Sequence, residues 1–239
     1  MVYGILKLIN FAHGDLFMLS GIMMIYLAAS FPTMPMWVTI LIMIALTVFV
    51  GFAIEKCAYS PLRTAPRMSV MISAIGVSYL LQNLVCYVTG GLAKQFPDIP
   101  LISQSIRVFG VKDKLAVFIS PLVAVVLMVI LVLIINHTKF GMSMRAVSKD
   151  FETAQLMGVK INRVISMTFI IGSFLAAVGA LLYFAKNTGI NHMAGSTPGI
   201  KAFIAAVVGG IGSVPGAVVG ALLIGVVESL AKAFGLADF

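Results

Sequence analysis

Apolar stretches at about 16–31, 36–54, 68–90, 116–135 and 164–185, then a pair at 200–211 and 214–233, alternate with short polar connections along the chain. Ala116 to Ile135 and Val164 to Ala185 contain no Asp, Glu, Lys or Arg. Each is long enough to cross a hydrocarbon core of roughly 30 Å as a helix. The pattern predicts an all-α, polytopic transmembrane helix bundle forming one domain, residues 1–239; a membrane β-barrel would show short alternating segments instead. The final pair breaks the rule. Lys201 to Val208 is too short to span, and four glycines and a proline follow within Gly209–Gly216. Such a run interrupts any helix, so a Gly-broken re-entrant or half-helix segment is expected there.

The polar connections are unequal. Residues 55–67 read as a polar link with Pro61 and Pro66, and residues 91–114 as a small extracytoplasmic loop or hairpin. The longest, 137–163, contains KFGMSMRAVSKDFETAQLMGVKINR, with five Lys/Arg and two acids. From Met144 to Met157 its apolar positions, Met144, Val147, Phe151, Ala154 and Met157, fall on one helical face. Arg145, Lys149 and Glu152 lie off it. Gly158 suits the position just past a helix end. Such a helix either lies flat on the lipid surface or docks into a groove on another protein. The loops 137–163 and 55–67 carry eight Lys/Arg against six for 91–114 and 186–201, which does not decide orientation. The character of 137–163 places it in the cytoplasm.

Composition narrows the class further. The chain is 61% hydrophobic and 10% charged, against roughly 25% charged in soluble domains, and its mean hydropathy is +1.11. The net charge of +8 reads as basic residues flanking spans at anionic headgroups, not as a nucleic-acid footprint. Cys57 and Cys86 form no CxxC motif and read as apolar filler. No signal-peptide pattern opens the sequence. An intramembrane enzyme would want a Ser/His pair, HExxH or paired acids within the bilayer, and none is evident. A stand-alone secondary transporter would want coupling charges inside the spans; the acid well inside an apolar run is Glu228, near its end.

Two clusters are candidates for a translocation path. Asn10-Phe11-Ala12-His13-Gly14-Asp15 opens the first span. It is either an ordinary helix cap, with Asp15 offsetting the positive end of the dipole, or a functional group at membrane depth. His13 has no second His nearby, so a metal site is not expected. The other cluster is Gly209, Gly210, Gly212, Ser213 and Gly216, either a structural hinge or a direct substrate contact. It is not a phosphate loop, because no GK[ST] follows. Gly172/Ala176/Ala180, Gly216/Gly220 and Ala221/Gly225, each spaced by four, predict close helix packing.

Val2-Tyr3-Gly4-Ile5-Leu6-Lys7-Leu8-Ile9-Asn10-Phe11-Ala12-His13-Gly14-Asp15 strongly resembles the opening of bacterial branched-chain amino acid ABC importer permeases. Lys201 to Ala217, KAFIAAVVGGIGSVPGA, is similar to that family's late glycine-rich motif. Met144-Arg145-Ala146-Val147 with Glu152-Thr153-Ala154 and Gly158 resembles its cytoplasmic coupling segment. The resemblance covers essentially the whole chain, in the family's order. It implies a multi-pass subunit of the bacterial cytoplasmic (inner) membrane, with a further helix before Val2 and another after Phe239. The implied partners are a homologous second permease, two cytoplasmic ATPases and an extracytoplasmic amino-acid-binding protein. The chain would hold no cofactor, ATP being used by the partner subunits, and would do no chemistry of its own. Arg145, Glu152, Ala154 and Gly158 would couple to the ATPase; Asn10, His13, Asp15 and the glycine-rich break would shape the path. Leucine, isoleucine or valine is the implied substrate, with urea, short amides or other amino acids as alternatives.

Overall fold

The computed structural model describes residues 10, 12–62, 65–100, 103–108, 111–187, 189–210 and 212–235. Val2–Ile9 and Phe11 of the opening string, and Ile211 of the glycine-rich one, lie outside them. The chain is a helical bundle. Helix α1 is Ala12–Ser30 and α2 is Met36–Ile54, which runs on into a π-helical turn, Glu55–Tyr59. Then come α3, Arg67–Thr89; α4, Leu115–His137; α5, Lys139–Lys149; and α6, Phe151–Leu156. Helix α7 is Ile161–Lys186, α8 is Ser196–Val208 and α9 is Val214–Ala233. Six of these are long and apolar enough to cross a membrane, counting α2 through Tyr59; α8 is shorter.

Strand pairing marks one end of the bundle. β1 (Lys94–Gln95) pairs antiparallel with β4 (Gly189–Ile190). β2 (Ser105–Val108) and β3 (Val111–Lys114) form a hairpin, with Ser105 opposite Lys114. The opposite end is marked by a buried apolar cluster. Tyr59, Val70 and Ala74 meet Met144, Val147, Ala154, Ile161, Val164, Ile165 and Phe169 there. Residues 55–62 and the α5–α6 segment therefore share one end.

Helices α1 and α7 form the interior. Phe17 packs on Tyr183 and Phe184 with ring centroids 5.5 and 5.2 Å apart. The small residues spaced by four in α7 lie in the interior. Gly172, Ala176 and Ala180 are buried in α7, and a side chain at Gly51 of α2 would strike the Ser173 hydroxyl. Ala221 and Gly225 behave differently: both face outward on α9, and a Cβ on Gly225 would meet nothing within 4 Å.

Two sequence expectations change. Residues 55–59 are not a polar connection; they continue α2 as a helix, and Glu55 is fully buried. Met144–Met157 is not one helix. Asp150 is extended (φ −147°, ψ 118°), and its side chain accepts from the amides of Glu152 and Thr153 at 3.0 and 3.3 Å. An Asp in that role starts a new helix, so α5 stops and α6 begins at a changed angle.

Candidate functional site

Polar groups gather at two depths. The first is mid-bundle. Asp15, in the first turn of α1, is buried. Its carboxylate accepts a hydrogen bond from the Ser78 hydroxyl and another from Gln82 Nε2 at 2.9 Å. Gln82 also donates to Ser78 Oγ at 3.3 Å. Ser78 is equidistant from the two ends of α3, so Asp15 sits about halfway along the bundle. Helix α1 thus begins at mid-depth, and so does α8. A Cβ on Gly14 would lie 2.7 Å from the Gly195 carbonyl oxygen and 3.1 Å from Gly199 Cα. Only glycine permits that approach. His13 is partly buried one residue away.

The sequence singled out Asn10, His13 and Asp15 but missed Ser78 and Gln82. Their signal was present, since residues four apart share a helix face and two polar side chains on one face of an apolar span need partners. The Gly195/Gly199 spacing also went unread.

The second depth is the end that carries α5 and α6. Here Tyr59 of the π turn donates to Asn10 Oδ1 at 2.6 Å, and its ring stacks against Phe169 at 5.1 Å. Asn10 Nδ2 is buried with no hydrogen-bond partner among the described residues. Glu55 Oε2 accepts from Ser166 of α7 at 2.7 Å. Asp15 and Glu55 are therefore acids inside the bundle. Glu228, by contrast, is partly exposed and pairs with Lys201 at 2.7 Å and Lys232 at 2.8 Å.

The α5–α6 segment has an inner and an outer face. Met144, Val147 and Ala154 point into the buried cluster. Ala154 is 5% exposed, so it supports α6 from within and presents no surface to a partner. Arg145 is exposed and donates to Asn136 Oδ1 at 2.9 Å. Glu152 is exposed. The most prominent outer residues are Leu156, 87% exposed, and Met157, 80%; the helical pattern puts Met157 on one face with Met144, Val147 and Ala154, but the structure turns it away from them. Gly158 has φ +82°. The Val159 amide bonds the Ala154 carbonyl at 3.1 Å and the Gly158 amide that of Gln155 at 3.0 Å. This is the glycine-terminated stop that the sequence suggested at this position, and it holds Leu156 and Met157 out as a blunt apolar tip.

The glycine-rich segment forms the tight turn between α8 and α9. Gly210 and Gly212 adopt φ of +88° and +96°. Ser213 caps α9, its hydroxyl accepting from the Gly216 amide at 3.1 Å. Side chains at Gly209 or Gly216 would collide with the backbone of the other, and one at Gly220 with the Ala205 carbonyl. These glycines hold two helices together. A shallow apolar depression, lined by Ala221, Gly225 and Ser229 among others, runs along the outer face of α9.

Residues 1–238 match the protein family described as "Branched-chain amino acid transport system / permease component". The high-affinity branched-chain amino acid transport permease protein LivH of Salmonella typhimurium is 35% identical, over 98% of this chain and 79% of its own length. BraD of Pseudomonas aeruginosa, of the same description, is 38% identical, over 98% of this chain and 80% of its own. The fructose import permease protein FrcC of Rhizobium meliloti is 30% identical over 54% of this chain and 38% of its own. No solved structure matches. The chain belongs to the branched-chain amino acid permease family and is a multi-pass membrane protein.

Proposed function

We propose, from membership of that family, that this chain is the membrane-spanning subunit of an ATP-driven importer of branched-chain amino acids in a bacterial cytoplasmic membrane. It catalyses no reaction itself and holds no cofactor. Two cytoplasmic ATPases supply the energy, a homologous second permease completes the passage, and an extracytoplasmic binding protein delivers leucine, isoleucine or valine. The relatives named for branched-chain amino acid transport support that substrate over urea and short amides. The outward small-residue face of α9 supports pairing with a second permease, because such faces let helix backbones approach in lipid.

The observation that carries the reading is the α5–α6 segment: an apolar face sunk into the bundle and an apolar tip, Leu156 and Met157, thrust away from it. A protruding apolar helix end fits a groove in a soluble partner. Glu152 and Arg145 flank it as polar contacts, and Gly158 sets its angle. Nucleotide-driven closure of the ATPases moves this segment and, through it, the bundle. Asn10, His13, Asp15 and the mid-depth start of α8 line the path. The turn at Gly209, Gly210, Gly212, Ser213 and Gly216 bounds it by holding α8 on α9.

The test is a pull-down of tagged chain from detergent-solubilised native membranes, with labelled leucine uptake measured in the same cells. ATPases and a second permease should co-purify. Glu152→Lys should lower both ATPase stimulation and uptake; survival of both removes Glu152 from the coupling surface. Recovery of the chain alone, with uptake intact, overturns the reading.

One observation favours a second reading. Buried Asp15 and Glu55 are the kind of intramembrane acid an ion-coupled stand-alone transporter uses. Uptake into ATP-free vesicles driven by an imposed proton gradient would select it.

A further inference from the structure

The π turn Glu55–Tyr59 shares a buried apolar cluster with the α5–α6 segment and is hydrogen-bonded to the opening cluster. On one flank, Tyr59, Ile54, Ala58 and Leu62 belong to the apolar cluster that takes in Phe140, Met144, Val147 and Ala154 of α5–α6. On the other, the Tyr59 hydroxyl is bonded to Asn10, whose amide nitrogen has no partner among the described residues. Glu55, at the start of the same turn, is bound to Ser166 near the base of α7. A displacement of α5–α6 therefore reaches this turn through the shared cluster, and Asn10 through the turn.

The α-helical pairing of ordinary helices is the alternative arrangement open to this turn. The Ser60 amide bonds the Glu55 carbonyl at 2.8 Å, five residues back, so the turn holds one residue more than an α-helix would. Reverting to α-helical pairing rotates the residues beyond the turn by about 100°, one residue's share of a 3.6-residue turn. That swing takes Tyr59 off Asn10. π turns are uncommon and often found at functional sites; this one closes the C-terminal end of α2.

We infer that Tyr59 is the positioning residue that transmits movement of the coupling segment to the path, the Glu55–Tyr59 π turn being the two-state element and the Tyr59–Asn10 bond its output. This rests on the importer reading. It goes beyond it by naming which residue links coupling to passage.

The experiment uses the whole transporter in proteoliposomes with ATP, leucine and binding protein, and reads leucine moved per ATP hydrolysed. Tyr59→Phe keeps the ring against Phe169 and removes one hydroxyl. The expected result is normal assembly, unchanged basal ATP hydrolysis and a fall of about fivefold in leucine per ATP, the scale of one neutral buried hydrogen bond. Asn10→Ala on top of Tyr59→Phe should lower the ratio no further than the larger single effect. Deleting Cys57, which is exposed in the turn, removes the extra residue and leaves Tyr59 in register. That variant should assemble and hydrolyse ATP but not move leucine. An unchanged ratio in Tyr59→Phe, or fully additive effects in the double variant, overturns the inference while the importer reading stands. Failure of any ATPase to co-purify with the wild-type chain overturns both.

Discussion

Helices α7 and α4 are both long, apolar and uncharged through their middles, yet they do opposite work. Sixty-one per cent of the most apolar window of α7 is buried, against 6% for α4. Helix α7 holds Ser166, Thr168 and Ser173 in the interior, and Ser166 answers a buried carboxylate. The outward face of α4 is a continuous apolar strip that includes Leu122, Val125, Val126, Val129 and Leu133. Hydropathy alone does not separate them, because lipid and a packed protein interior are equally apolar. What separates them is the side chains that need company: small residues at close approaches, and hydroxyls and acids with named partners. The same contrast divides α1, which is packed on four other helices, from α9, whose window is also 6% buried.

Matched substitutions can break that contrast. The largest effect is expected at Gly195→Val, where the new side chain would strike the Gly14 carbonyl. Overpacking against backbone costs about 3 kcal/mol at the upper end of the usual range, so the detergent-solubilised protein should lose most of its monodisperse fraction. Gly225→Val on α9 meets nothing and should elute as wild type. If the two behave alike, the division into inner and outer helices is wrong.

Ser166→Ala comes next. It removes the Oγ donor from buried Glu55, and hydrogen bonds to charged groups contribute about 1.5–3 kcal/mol; the thermal midpoint should fall by several degrees. Asp15→Leu strands the Ser78 and Gln82 donors at mid-bundle, at a cost of about 1–3 kcal/mol. Adding Ser78→Ala and Gln82→Leu should restore stability without restoring uptake, which separates the fold from the path at one cluster. The smallest effect is expected on the outer strip: Leu133→Ala, facing outward, should shift the midpoint by less than about 0.5 kcal/mol in equivalent stability.

Much of this organisation was legible in the sequence. Uncharged apolar runs mark the spans, Gly158 marks the end of α6, and four-residue spacing of small residues marks real seams in α7 and between α8 and α9. Other parts were hidden for physical reasons. Glu55 looked like the start of a loop because an acid at the end of an apolar run is ordinarily solvated; only a partner 111 residues away makes it a buried one. Ser78 and Gln82 draw no notice in the sequence because the group that unites them, Asp15, lies 63 and 67 residues away. Asp150 fits an unbroken helical pattern of the residues around it, and its capping role depends on a backbone geometry that spacing does not encode. Ala154 and Leu156 are two positions apart and face opposite ways, so the side of α6 that is presented outward emerges only once α6 has been seated on α7.

The meeting of Gly14 with Gly195 and Gly199 has a last consequence. Where α1 and α8 begin, main chain lies against main chain, with no side chain from these glycines in the seam. These three glycines contribute only main-chain amides and carbonyls to the seam, and no side chain. It can part without any rotamer having to turn, and a separation of a few ångströms admits water. On the importer reading, a seam of this kind would set leak tightness, because parting it opens a gap between main chains without moving any side chain.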